Sequence, residues 1–273
     1  KTAGGKPAKL TLRHLLTHTS GMPEATPEQY QAARSLTDVI PFYAGKPLKF
    51  EPGTKWQYCQ SGINSLGRIL EIVSGQSFPV FLQQRLFGPL GMKDTTFYLR
   101  AEQLSSLAKT YRRTETALEE APIDFLHGRP PTDQDRYPAP NAGLFSTALD
   151  YARFCRMIRN QGALDGRRYL KPEAVKLMTS IQTGDLKTGF TDGNGWGLGW
   201  CVERQPQGIT GMLSAGTCGH GGAFGTQAWI DPVQEVIYVL MVQRSNFPNA
   251  DASEVRRAFQ AAAARALGVG AER

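Results

Sequence analysis

The sequence predicts an α+β fold that consists of an antiparallel sheet flanked by helices plus a mostly helical lobe. Two observations carry this prediction. Apolar residues recur at helical spacing through roughly the first two thirds of the chain, whereas after Gly193 they alternate with other residues as in half-buried strands. An alanine-rich segment that begins at Asp251 then predicts a terminal helix. A run of helices followed by a run of strands is typical of α+β proteins.

The helical pattern is clearest at residues 61–74, where apolar side chains recur on one face and Gly75 follows as a C-terminal cap. Thr11 caps a shorter helix near the start of the chain. The predicted helices, in chain order, span residues 10–18, 27–44, 61–74, 78–86, 148–159 and 171–179. Gly88-Pro89 is expected to close the fourth of them.

Strands are predicted at residues 196–200, 224–230 and 236–242, with a turn at Asp231-Pro232. Residues 112–140 contain five prolines and are predicted as a long irregular loop. The change of pattern divides the chain into a mostly helical lobe, residues 1–190, and a second part, residues 191–273, which holds the strands and the last helix.

Composition excludes several classes of protein. The 273 residues are 41% hydrophobic with a net charge of +7, and no apolar run is long enough to span a bilayer. Basic residues are scattered rather than massed on one face, so a nucleic-acid partner is not expected. Four widely spaced cysteines form no C-x-x-C pair, which argues against a zinc cluster. We expect free buried thiols, with one disulfide as the alternative.

Four short patterns follow one another in a definite order. They are Leu-Leu-Thr-His-Thr-Ser-Gly at 15–21, Tyr-Cys-Gln-Ser at 58–61, Asn-Ala-Gly-Leu-Phe-Ser-Thr-Ala-Leu-Asp at 141–150 and Gly-His-Gly-Gly-Ala at 219–223. Each is weak when taken alone. In this order and at these separations they closely resemble the penicillin-binding and β-lactamase-like superfamily, nearest to its branch of class C β-lactamases, DD-peptidases and family VIII esterases.

The resemblance implies a cleft in which three motifs meet. A Ser-x-x-Lys supplies the nucleophile and its base, because a serine hydroxyl is a weak nucleophile by itself. A Tyr-x-Asn supplies a phenol that acts as general acid and base, and Tyr58 matches that tyrosine. Gln60 stands where the family usually has Asn. It keeps the amide on an arm longer by one methylene, so its contact to the substrate is less certain than that of the tyrosine.

The third motif is Lys-Thr-Gly or His-x-Gly on an edge strand, and here the resemblance is carried by four residues. His220 matches its first position, and Gly221 and Gly222 complete it. Glycines let a substrate lie against the backbone, whose N–H groups stabilise an oxyanion. The resemblance assigns this N–H to Ala223.

No Ser-x-x-Lys precedes the tyrosine motif in this sequence. The one at 106–109 follows that motif in a polar context, and the Lys-Thr-Gly at 187–189 lies in a polar loop, so neither is a candidate. In the family the nucleophile motif and the first sheet strands lie upstream of the segment that matches 15–21. Three interpretations stay open: the chain begins late, a separate chain supplies the nucleophile, or the protein is a natural homologue without one. We expect the first.

The resemblance therefore implies a serine hydrolase that acts through an acyl-enzyme on a small ester, a D-amino-acid peptide or a β-lactam. His220 and Gln60 favour an ester or a peptide within that range. No metal or organic cofactor is implied, the compartment is expected to be the periplasm or the cell exterior, and this chain alone is expected to be inactive without a complementing N-terminal segment. The alternative is a non-catalytic module that binds peptidoglycan or another ligand.

Overall fold

Helices and antiparallel strands both occur in the chain, which confirms the α+β prediction. The structure is a computed structural model that describes residues 1–2, 4–5 and 7–269. Residue contacts divide the chain into two compact units. The first contains residues 1–107 and 122–146, and the second contains 108–121 and 147–273. Residues 270–273, which end the predicted second part, lie outside the described residues.

The helices predicted around residues 10–18, 61–74, 148–159 and 171–179 are confirmed to within two residues at each end. The helices are α1 (Leu12–Leu16), α2 (Pro27–Ala32), α3 (Leu36–Ala44), α4 (Gln60–Ser74), α5 (Phe78–Leu82), α6 (Gly88–Leu90), α7 (Ala148–Arg159), α8 (Pro172–Thr179) and α9 (Glu254–Ala266). The strands are β1 (Tyr111–Arg113), β2 (Leu118–Glu120), β3 (Ala163–Leu164), β4 (Arg167–Arg168), β5 (Asn194–Trp196), β6 (Cys201–Glu203), β7 (Cys218–Gly221), β8 (Gln227–Asp231), β9 (Val236–Leu240) and β10 (Arg244–Ser245). Within the described residues no helix has the length and apolar character needed to cross a membrane.

Residues 27–44 form two helices, so the prediction of one continuous helical stretch is wrong. The chain is extended at Ala33, and a capping box then starts α3. The Ser35 hydroxyl accepts the Asp38 N–H at 3.3 Å, and the Asp38 carboxylate accepts the Ser35 N–H at 2.9 Å. Two residues that satisfy each other's N–H groups favour a new helix start at this point.

The helical segment that begins at Phe78 continues through Gly88-Pro89, contrary to the prediction. A π-helical turn, Gln83–Phe87, joins α5 to α6, and the chain leaves the helix at Gly91 with φ 69°. Pro89 follows directly on the π-helical turn, in which the Gly88 N–H donates to the Gln83 carbonyl five residues earlier, so the regular helical hydrogen-bond pattern is already changed where the proline lacks an N–H. The proline is therefore compatible with a helix that continues past it.

Two predictions about extended segments are also corrected. Residues 196–200 are not one strand, because β5 ends at Trp196 and a tight turn with Gly199 at φ 81° leads into β6. Residues 112–140 are not wholly irregular, since β1 and β2 form an antiparallel hairpin at their start. Polar, exposed strands of this kind carry no hydrophobic alternation and so give no strand signal in the sequence.

The first unit has a core in which α2 and α3 pack together, and α3 also packs on α4. Gly67 of α4 faces Pro140, and a Cβ at this position would collide with the proline ring. This close approach lets the loop that contains Pro140 lie directly on the helix. The buried core residues are Tyr30, Ala33, Leu36, Val39, Tyr43, Tyr137 and Ala139.

The second unit is built on a five-stranded antiparallel sheet in the order β5-β6-β7-β8-β9. Its central strand, β7, carries His220, which pairs with Ala228 of β8. The Asp231 carboxylate accepts the Gln234 N–H at 2.9 Å, which confirms the turn predicted at Asp231-Pro232. Helix α7, although it falls within the predicted helical lobe 1–190, packs against β8 and β9 of this sheet.

A fully buried ion pair ties α9 to the sheet. Arg256 of α9 donates to Glu203 of β6 at 3.1 Å, and neither side chain has any exposed surface. Asn194 donates to the other carboxylate oxygen at 2.8 Å, and the guanidinium lies 3.7 Å from the centre of the Trp229 ring. Burial raises the pKa of Glu203, and the charge of Arg256 opposes that rise. A buried charge of this kind is tolerated only while its partner is present.

All four cysteines are buried and free, as the sequence predicts. Burial raises the pKa of Cys155 and that of Cys218 to about 12. Both groups are therefore neutral thiols at physiological pH and act as small apolar side chains.

The substitution Arg256→Met is expected to lower the free energy of unfolding by about 3–5 kcal/mol, because it leaves the Glu203 carboxylate buried without its partner. Urea unfolding of the purified protein measures this change. The neighbouring Arg257 is a matched control, since it pairs with Glu254 at the surface. Arg257→Met should change stability little, and equal effects of the two substitutions would contradict the importance of the buried pair.

Candidate active-site elements

Tyr58 lies two residues before the first residue of α4, as the motif predicts. Its side chain is half-buried, and Cys59 after it is in an extended conformation, with φ −141°. Gln60 is the first residue of the helix and is also half-buried. The structure therefore brings Tyr58 and Gln60 together at the N-terminus of one helix, and the position of that N-terminus determines where the phenol lies.

The N-terminus of α4 is capped by a carboxylate from a distant part of the chain. Cys59 occupies the N-cap position, and its sulfur accepts the Gly62 N–H at 3.4 Å, a weak cap. Glu24 supplies the stronger contacts. Its two oxygens accept the Gln60 N–H at 2.7 Å and the Ser61 N–H at 3.0 Å. A negative charge at a helix N-terminus satisfies otherwise unpaired N–H groups and interacts favourably with the helix dipole.

A chain of buried tyrosines holds Glu24 in this position. The Tyr30 hydroxyl donates to Glu24 at 3.3 Å, the Tyr43 hydroxyl donates to Tyr30 at 3.1 Å, and Asn64 of α4 donates to Tyr43 at 3.1 Å. Burial raises the pKa of Tyr30 and that of Tyr43, so both phenols keep the protons they donate. The core of the first unit is thus linked by hydrogen bonds to the helix end that follows Tyr58.

Aromatic side chains surround the ring of Tyr58. The centre of the His18 ring lies 4.4 Å from that of Tyr58, with 37° between the planes. Trp56 lies 6.4 Å from Tyr58 and 6.1 Å from His18. Packed rings of this kind restrict the rotation of a side chain. Sequence analysis assigned no functional role to His18, and the structure places it against the candidate phenol.

His220 lies near the end of β7, before the turn into β8, and β7 is the central strand of the five-stranded sheet rather than the edge strand that the resemblance implies. The Nδ1 atom donates to the Gly221 carbonyl, because a carbonyl oxygen only accepts. In the neutral ring this leaves Nε2 with a lone pair that accepts a hydrogen bond. Trp196 and Phe190 contact the imidazole edge-to-face, with ring centres at 5.4 and 6.1 Å. The side chain is half-buried and packs against these two aromatic rings.

The glycines after His220 lie in close contact with neighbouring side chains of the protein itself. A Cβ at Gly221 would collide with the Asp251 carboxylate, and one at Gly222 would collide with the Thr226 hydroxyl. The Gly222 N–H donates to the Thr226 carbonyl at 2.7 Å, which closes the turn. Ala223 lies in this turn and is exposed. The four predicted residues 220–223 are therefore adjacent at one end of β7.

None of the four motifs includes Glu24, whose contacts to α4 cross 36 residues of chain. Spacing gives no signal for such a contact, because a carboxylate in a loop has no periodic pattern. In the two rejected motifs, Lys187 is highly exposed in a loop and Lys109 forms a surface pair with Glu120 at 2.7 Å. Among the described residues no group of three or more His, Cys, Asp or Glu side chains is placed to hold a metal ion.

A family model described as Beta-lactamase matches residues 1–263 of this chain. Lovastatin esterase from Penicillium rubens is 33% identical over 186 residues, which cover 62% of this chain and 43% of the esterase. Penicillin-binding protein 4 from Amycolatopsis lactamdurans is 32% identical over 222 residues, which cover 80% of this chain and 54% of that protein. Among curated relatives of this kind the chain spans between 43% and 65% of their length.

The solved structure of EstCE1, described as a hydrolase with promiscuous acyltransferase activity, has a similar fold. It matches with a TM-score of 0.76 and 24% identity over 95% of this chain and 72% of EstCE1. A likeness at this identity establishes the fold and leaves the chemistry to be argued from the residues.

The substitution Glu24→Gln is expected to lower the free energy of unfolding by about 1–3 kcal/mol. Gln keeps one accepting oxygen, but its amide group faces a backbone N–H and cannot accept from it. Denaturant unfolding measures the loss, and faster amide hydrogen exchange at Gln60 and Ser61 locates it. Glu28, which is exposed on α2, is the control. If Glu28→Gln changes stability as much as Glu24→Gln does, the capping role is wrong.

Proposed function

Because the chain belongs to the Beta-lactamase family, we propose that the protein is a serine hydrolase that forms an acyl-enzyme and transfers the acyl group to water. The observation that carries this proposal is the position of Tyr58, a half-buried phenol immediately before a helix whose N-terminus is held by Glu24. The nucleophilic serine and its lysine belong, in this proposal, to a segment upstream of the chain.

The proposed reaction has two steps. The serine oxygen attacks the carbonyl carbon of the substrate, and the bond from that carbon to the leaving group breaks. The serine proton passes by way of Tyr58 and the upstream lysine to the leaving group, which departs as an alcohol or an amine. Water then attacks the acyl ester, returns a proton to the serine oxygen and releases the acid. A positioned acid and base is required in both steps, because both move a proton.

The residues around β7 have supporting roles in this proposal. The backbone N–H of Ala223 is proposed to donate to the oxyanion that forms in each step. His220, whose Nδ1 donates to the Gly221 carbonyl, is proposed to contact the substrate through its imidazole. Gln60 is proposed to contact the substrate through its side-chain amide.

The proposed substrates are small esters, D-amino-acid peptides and β-lactams, with an ester or a peptide first. One relative is named as an esterase and another as a penicillin-binding protein, which supports this range. The imidazole at position 220, where the family's other form has a lysine, favours the ester or peptide. The same family resemblance favours the periplasm or the cell exterior as the compartment.

A covalent probe tests the proposed acyl-enzyme. A fluorophosphonate or fluorescent penicillin is expected to label one serine of the full-length gene product, upstream of Lys1, and peptide mass spectrometry locates it. The 273-residue chain alone should stay unlabelled. A full-length product that carries Ser-x-x-Lys and yet shows no labelled serine would contradict the proposal. A gene product without that motif would favour the rival function, a module that binds peptidoglycan or another ligand.

The substitution Tyr58→Phe is expected to lower turnover of a chromogenic ester by at least about 100-fold in the full-length enzyme, the usual scale for loss of a general acid or base. Steady-state kinetics measures this loss. Tyr111 is exposed on β1 and outside all four motifs, so Tyr111→Phe is the control and should leave turnover unchanged. Unchanged turnover in Tyr58→Phe removes this phenol from the mechanism.

A further inference from the structure

We propose that His18 is a positioning residue that holds Tyr58 in the orientation needed for proton transfer. This inference rests on the proposed function, because it gives Tyr58 a role that depends on its position. His18 belongs to the Leu-Leu-Thr-His-Thr-Ser-Gly segment, for which the sequence indicates no catalytic role. Three features of the described structure carry the inference: its hydrogen bonds, its ring contact and its backbone conformation.

His18 accepts two hydrogen bonds, one from each side of Tyr58 along the chain. The Gln57 N–H donates to the His18 carbonyl at 2.9 Å, and the Cys59 N–H donates to His18 Nδ1 at 3.1 Å. These are the amides of the residues on either side of Tyr58. A single residue therefore fixes the backbone both before and after the phenol.

The imidazole also contacts the Tyr58 side chain directly. The two ring centres are 4.4 Å apart, and Trp56 lies near both rings. His18 is only 2% exposed, so its ring is a fixed surface rather than a mobile neighbour. The contact restricts the side-chain rotation of Tyr58, and a fixed near-attack geometry accounts for a large part of enzymatic rate enhancement.

The backbone of His18 is held in a left-handed conformation, with φ 55°. Few residues other than glycine adopt this conformation readily, although His, Asn and Asp do so more often than most. Here it allows one residue to offer both its carbonyl oxygen and its imidazole to the same segment. Buried neighbours hold the turn: Thr17 and Thr19 share a hydrogen bond of 2.8 Å, and the Gly53 N–H donates to the Thr19 carbonyl. Strained conformations of this kind persist where the surroundings fix them, and they cluster at functional sites.

The hydrogen bond that the His18 ring accepts distinguishes a positioning role from simple packing. Because Nδ1 accepts the Cys59 N–H, the proton of the neutral ring lies on Nε2. An apolar side chain would fill the same volume and leave the Cys59 amide without this acceptor. Glu24 binds the next two amides, those of Gln60 and Ser61. His18 and Glu24 thus hold the backbone on both sides of the candidate phenol.

Two substitutions at this position separate the side chain from the backbone conformation. Asn and Gly both adopt positive φ, but only Asn offers an oxygen near the place of Nδ1. In the full-length enzyme we expect His18→Asn to keep kcat within about fivefold of wild type. We expect His18→Gly to lower kcat by roughly 10- to 100-fold with KM within about twofold, since misplacement of a catalytic group reduces kcat. Equal kcat values for the two variants would overturn the proposal.

A double-substitution cycle with Tyr58→Phe tests whether the two residues act together. If His18 acts through Tyr58, His18→Gly should lower kcat little further once the phenol is absent. The same fold loss in both backgrounds would overturn the proposal. Should His18→Gly fail to fold, His18→Gln replaces it, because its amide reaches beyond the place of Nδ1 while the side chain keeps its size.

A measurement without turnover distinguishes failure of this inference from failure of the proposed function. In protein labelled with [15N]cysteine, amide exchange at Cys59 should be faster in His18→Gly and restored toward wild type in His18→Asn. Unchanged exchange at Cys59 in His18→Gly would overturn the inference whatever the kinetics show. Full turnover in Tyr58→Phe would contradict the proposed function, and exchange at Cys59 would still decide whether His18 holds the segment.

Discussion

The N-terminus of α4 has N–H groups without helical partners, and the structure satisfies two of them with a carboxylate from 36 residues away. Cys59 at the cap position offers only a thiol, so the Glu24 contacts to Gln60 and Ser61 determine where the helix begins. Tyr58 lies immediately before this point. The position of the candidate phenol therefore depends on a charged hydrogen bond that is in turn linked, through Tyr30, to the core of the first unit.

In the second unit a buried ion pair fixes the position of a helix. Arg256 holds α9 against the sheet through Glu203, and the loop before α9 brings Asp251 against Gly221. The glycine next to His220 is thus explained by the packing of the protein's own carboxylate. In both units the motif residues are held by polar groups that sequence analysis did not connect with them.

This arrangement limits which substitutions are tolerated near each motif. His18 and Glu24 have no predicted part in the reaction, yet they bind the amides of residues 57, 59, 60 and 61. A substitution of His18 or Glu24 would therefore shift the phenol of Tyr58, although Tyr58 itself would still be present. Effects on turnover and effects on stability can therefore be separated only by variants that keep the local backbone conformation, which is why a conservative replacement is informative at position 18.

Local patterns in the sequence determined a large part of this protein. Helical periodicity located α4 and α7, turn residues located the hairpin at Asp231, and four ordered motifs indicated the family together with Tyr58 and His220. The break between α2 and α3 has a local signal, the capping box of Ser35 and Asp38, which helical periodicity alone does not detect. Only the tertiary structure decided the exposed hairpin of β1 and β2 and the contacts of His18 and Glu24. The physical reason is that burial of one face leaves a periodic trace in a sequence, whereas a single polar contact between distant segments leaves none.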